Sequence, residues 1–85
     1  MLSPSERESR LRHAEERFPR GRLCTIPASG SVPYELLGRV ERHFIGVDEG
    51  VHTRLLVKRE WNASRPIATD IMELDVPVAQ LRPAD

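Results

Sequence analysis

The clearest pattern in the chain is an alternation of apolar and polar positions over residues 51–60. Val51, Thr53, Leu55 and Val57 fall on one face, and His52, Arg54, Lys58 and Glu60 fall on the other. Strand side chains point alternately to opposite faces, so this pattern predicts a half-buried β-strand. A second run rich in β-branched and aromatic residues, Val40 to Val47, precedes it, with Asp48-Glu49-Gly50 between the two. The stretch Gly38 to Trp61 therefore reads as a β-hairpin, with Gly50 taking the positive φ that a tight turn demands. Pairing across Glu49-Gly50 sets Phe44 opposite Leu55 and Val40 opposite Arg59, whereas a three-residue loop shifts the partner by one. The first register is preferred because it brings Phe44 into the apolar layer of Leu55 and Val57. It sends Ile45 and Val47 to the other face, where an N-terminal helix or another subunit would cover them.

Upstream, Ser3-Pro4-Ser5-Glu6 has the form of a helix start: Ser3 caps, Pro4 suits the first helical position, and Glu6 completes a capping box. The helix is expected to run to about Arg17 and to stop at Pro19, with Leu11, Ala14 and Phe18 as a narrow apolar stripe. Arg12 and Glu16 stand at ion-pair spacing, and glutamates interrupt the arginines throughout, which favours a solvated amphipathic helix over a nucleic-acid arm. Gly21 to Pro27 reads as a first strand, with Leu23 and Thr25 on one face and Cys24 and Ile26 on the other. Loops are expected at Ala28 to Pro33 and Asn62 to Pro66, and a fourth extended run at Ile67 to Val76. Val76 to Arg82 reads as a short 3₁₀ turn followed by a brief closing strand. Gly38 and Gly46 suit places where a sheet bends or bulges. The class expected is mainly β: a small antiparallel barrel of four to five strands over residues 20–85, preceded by a helical extension over residues 1–19.

Composition narrows this picture. A chain of 85 residues buries about 60–65% of its unfolded surface, so stability should be modest. Formal net charge is zero, which argues against a partner held by bulk electrostatics but leaves room for a local patch. The last stretch, residues 66–85, sets Arg82 against four acids. A single cysteine allows no internal disulfide, and neither a signal peptide nor a transmembrane run is evident; the expectation is a cytoplasmic protein without membrane contact.

The order Gly21-Arg22-Leu23, then Gly38-Arg39-Val40, then a hairpin, then Val76-Pro77-Val78-Ala79-Gln80-Leu81 resembles SH3-like barrels, in which a 3₁₀ turn precedes the last strand. The resemblance spans roughly residues 20–83. Within that class the Pro77 to Leu81 ending is similar to the small plasmid-borne trimethoprim-resistant dihydrofolate reductases, which work as pore-forming homotetramers. The Val-Gln-Ile-Tyr stretch that lines their pore is replaced here by Glu73-Leu74-Asp75-Val76, so the resemblance implies the fold and not the activity. The Arg-Gly opening and Gly-x-Val second strand are also similar to PsaE-type photosystem subunits, which implies a docking scaffold without chemistry of its own.

No residue constellation points to catalysis, a metal or a cofactor. His13, His43 and His52 lack the spacing of a metal site, and a lone Cys24 in a strand reads as a small buried residue. Asp70, Glu73 and Asp75 read as charges on a strand edge, where they discourage aggregation. The function expected is a non-enzymatic interaction or assembly module, binding another protein or copies of itself as a homo-oligomer through Tyr34, Ile45, Val47 and Trp61. The alternative is a nucleic-acid-binding barrel using Arg39, Arg42, Arg54, Lys58 and Arg59 beside the aromatic Trp61.

Overall fold

The computed structural model describes residues 1–29 and 32–84. Helix α1 (Pro4–Arg17) is followed by strands β1 (Leu23–Ile26), β2 (Leu36–Ile45), β3 (Val51–Lys58), β4 (Ile71–Pro77) and β5 (Arg82–Pro83), with 3₁₀ turns at Arg59–Asn62 and Val78–Gln80. The start of α1 is the capping box expected: the Glu6 amide donates to Ser3 Oγ at 3.2 Å, and the Ser3 amide donates to the Glu6 carboxylate at 3.3 Å. Ser3 holds the Glu6 carboxyl below its ordinary pKa, its side chain first and its backbone amide second. Along the helix, Arg12 pairs with Glu8 at 3.5 Å, not with the expected Glu16.

All strand pairings are antiparallel, and the sheet runs in the order β4-β3-β2-β1-β5. It does not close into a barrel: β4 and β5 end it on opposite sides. The core lies on the inner face of the sheet, where Phe18 joins Cys24, Ile26, Leu36, Val40, Leu55, Val57, Ile67 and Leu81. Ala14 and Phe18 bury the predicted stripe of α1, and Phe18 is only 1% exposed. The helix end is then fastened by His43, whose ring nitrogens meet the Phe18 carbonyl at 2.8 Å and the Thr53 hydroxyl at 2.7 Å. A carbonyl can only accept, so Nε2 carries a proton there.

The hairpin differs from its expected form in four ways. First, β2 and β3 are joined by residues 46–50, so Phe44 pairs with His52 and Val40 with Leu55, in place of Leu55 and Arg59. Second, the register shifts between Val40 and Arg42, leaving Glu41 in a bulge. A bulge reverses the alternation, so Val40 points inward while Phe44, four positions later, points outward. Third, the positive φ belongs to Glu49, at 65°, and not to Gly50. The Glu49 amide closes a turn onto the Gly46 carbonyl at 3.0 Å, and the Gly50 amide is taken by Asp48 Oδ1 at 3.1 Å. Fourth, β3 stops at Lys58, and Arg59–Asn62 coils into a 3₁₀ turn.

That 3₁₀ turn is held by Asn62, a buried amide the sequence reading treats as loop. Its Oδ1 accepts from the Leu37 amide at 2.7 Å, and its Nδ2 donates to the carbonyls of Leu37 and Lys58, both at 3.0 Å. Buried polar groups need such partners, and this one supplies them to β2 as well as to itself.

Candidate functional site

The outer face of β2 and β3 carries two aromatic rings, each in contact with cations. At one end, Trp61 projects from the first 3₁₀ turn, with the Arg39 guanidinium 5.1 Å and the Lys58 ammonium 5.3 Å from its ring centre. At the other, Phe44 has Arg42 at 5.3 Å and Arg54 at 6.0 Å, and its ring stacks on His52 at 5.8 Å with 24° between the planes. Leu56 and Leu37, both half-buried, are on the same face. From Lys58 to His52 along β3 the surface spans about 20 Å, at roughly 3.3 Å per residue.

Their charges are not equally available. Arg54 is engaged by Asp75 through two bonds, Nε to Oδ1 at 2.9 Å and the second nitrogen to Oδ2 at 3.1 Å, with Glu73 at 3.6 Å. This fork holds the Asp75 carboxyl below its ordinary pKa. Arg39 donates to the Gly21 carbonyl at 3.0 Å, and Lys58 has Glu60 at 3.9 Å on an open surface. Among the described residues, neither Arg39 nor Arg42 forms a salt bridge. Arg59 belongs elsewhere: it binds Asp70 at 3.0 Å and the carbonyls of Ile67 and Ala68 at 3.2 and 2.9 Å, tying down the loop that leads to β4.

At the Phe44 end, the His52 ring is seated over Gly46 and reaches Asp48 Oδ1 at 2.9 Å. That bond is the first cause of a lowered Asp48 pKa. A Cβ at Gly46 would come within 2.5 Å of the His52 ring, so any larger residue there displaces that ring from its seat.

The residues expected to form a protein-binding surface are not gathered into one. Tyr34 lies at a groove beside β4, its hydroxyl donating to the Pro66 carbonyl at 3.2 Å. Ile45 pairs with Val51 on the inner face near α1, Val47 is fully exposed at the hairpin tip, and Trp61 stands on the outer face. His43 and His52 are on opposite faces, His43 pairing with Thr53 and His52 with Phe44. Cys24 is buried in the core. Among the described residues, no three His, Cys, Asp or Glu side chains gather as a metal site would require, and no helix is long and apolar enough to cross a membrane.

Phe44 is the outer-face ring that the sequence pattern places in the apolar layer, while His52 stands on the face expected for it. The connection of residues 46–50 is longer than the two- or three-residue loop expected, and it is this length that brings Phe44 opposite His52. Compared with protein-family models, curated proteins and solved structures, the chain matches none.

Proposed function

We propose that the protein is a non-enzymatic binding module that takes single-stranded nucleic acid along the outer face of β2 and β3. The observation that carries this reading is the placement of Arg39, Arg42 and Lys58 on one face with Trp61 and Phe44. Single strands are held by a cationic track for the phosphates and by aromatic rings on which unpaired bases stack, and stacking tolerates any base. Zero net charge is compatible with this, because Glu73 and Asp75 are engaged by Arg54 and Asp70 by Arg59, and only Glu60, 3.9 Å from Lys58, forms an ion pair with the three cations of this track among the described residues. The strand order, with a 3₁₀ turn ahead of the last strand, supports a half-open variant of the SH3-like barrel as the scaffold. A single cysteine, buried in the core, fits a cytoplasmic setting.

The test is fluorescence anisotropy with a labelled single-stranded oligonucleotide over a range of salt. Three phosphate contacts give a slope of log K against log salt of about −2. Reversing Arg42 and Lys58 to glutamate should abolish binding, Trp61→Ala should cost about 1–3 kcal/mol, and Arg59→Gln should leave affinity unchanged. Binding that ignores salt, or that survives the double reversal, would sink the proposal.

A further inference from the structure

We propose that the free edge of β4 is a strand-addition site for an extended segment of another protein in which basic residues alternate with aliphatic ones. This edge borders the cation and aromatic face and meets it at Arg54, which lies over Phe44 and holds Glu73 and Asp75, but the backbone groups it offers are not part of that face.

β4 ends the sheet, so among the described residues one of its sides has no neighbouring strand. The Arg59 amide donates to the Asp70 carbonyl at 2.9 Å, which marks that pair as hydrogen-bonded. From there the register runs unbroken from Lys58↔Ile71 to His52↔Pro77. Bonded and non-bonded pairs alternate in an antiparallel ladder, so Met72, Leu74 and Val76 turn their amides and carbonyls toward β3, while Ile71, Glu73 and Asp75 turn theirs outward. Pro77 falls in the outward set, where a missing N–H breaks no ladder bond. Among the described residues, the Thr69 hydroxyl bonds the Ile71 carbonyl at 3.1 Å, and no other bond is made to these outward groups.

Side chains specify the occupant. Beside the edge on the inner side lies a groove of about 210 Å³, lined by Val32, Tyr34, Leu74 and Val76 among others. It suits an aliphatic side chain. On the outer side, Glu73 and Asp75 share the single guanidinium of Arg54, at 3.6 and 2.9 Å. An added strand places its own side chains alternately on these two sides, so the matching sequence alternates aliphatic with Lys or Arg. A second copy of β4 fits poorly, because antiparallel self-pairing centred on Glu73 or Leu74 sets carboxylates against one another, and like charges directly opposite are destabilising.

The probe is a blocked heptapeptide of alternating valine and lysine, titrated into the full chain and followed by amide NMR, with a valine–glutamate peptide as comparator. The lysine peptide should shift the amides of Ile71, Glu73 and Asp75 and slow their hydrogen exchange, and the glutamate peptide should bind at least about tenfold more weakly. Glu73→Pro removes an outward N–H without touching the ladder and should reduce peptide binding by at least about tenfold without weakening oligonucleotide binding, since it takes a carboxylate away from Arg54. If that variant misfolds, Glu73→Lys serves instead and should reverse the peptide preference. Equal binding of the two peptides, shifts confined to another surface, no binding, or a dimer that Glu73→Pro dissolves would each overturn the proposal.

Discussion

The two faces of the β2–β3 hairpin share one backbone and are held by different physics. On the inner face, Leu36, Val40, Leu55 and Val57 are sealed with Phe18 in a continuous core, and the one polar side chain among them, Thr53, is bonded to His43. On the outer face, Arg39, Arg42, Arg54 and Lys58 lie over rings at 5.1–6.0 Å and remain in contact with water. Burial of an aliphatic side chain contributes about 1.5–3 kcal/mol. A cation over an exposed ring contributes about 0.5–1 kcal/mol. The inner face therefore fixes the fold, and the outer face can exchange its weak internal contacts for a ligand's at little loss.

Emptying the inner face should break this contrast most severely. Phe18→Ala removes the residue that joins α1 to the sheet and should cost about 3–5 kcal/mol, read as a fall in the urea midpoint. Next comes Asn62→Ala, which leaves the Leu37 amide and carbonyl without their partners. The expected loss is about 2–3 kcal/mol, and oligonucleotide affinity should fall with it, because Trp61 rides on the same turn. A gain is expected at the hairpin tip: Glu49 holds φ at 65°, a conformation glycine adopts freely, so Glu49→Gly should stabilise by about 1 kcal/mol. No change in Tm, or a fall, would show that the strain is not relieved there.

The smallest effect sharpens the comparison from the outer side. Asp75 and Asp48 have folded pKa values below the usual carboxylate range, Asp75 through Arg54 and Asp48 through His52. A depressed folded pKa stabilises the protein fully above the unfolded value of about 3.9 and is lost as pH falls through the lower folded value. The carboxylate contribution should thus be flat above about pH 5 and decline below about pH 4. Asp75→Asn should flatten that acid limb in thermal melts. An identical acid limb in the variant would remove Asp75 from the account.

Much of this architecture is legible along the chain. The capping box, the Ala14 and Phe18 stripe, the alternation of β3, the closing 3₁₀ turn and the last strand all follow from signals within a few residues of each other. The register of β2 does not. Grouping Phe44 with Leu55 assumes an unbroken alternation from Val40, and the bulge at Glu41 cancels that assumption. Nothing local marks the bulge, because the pull comes from burying Val40 inward while His43 reaches the Phe18 carbonyl. Asn62 was hidden for the same reason: its partners in β2 are far away in sequence, and a polar residue after a strand looks like loop.

The sequence by itself determined helix α1, the order of the strands and which face of α1 and of β3 is buried, since cap chemistry and side-chain periodicity act over one or two turns or a few residues; it did not determine where β3 ends or that β4 begins only at Ile71. Tertiary structure decided the pairing of β2 with β3, the side on which Phe44 emerges, and which arginines remain available. Those outcomes depend on contacts between residues distant in the chain, where one extra residue in a strand moves a ring from the core to the surface.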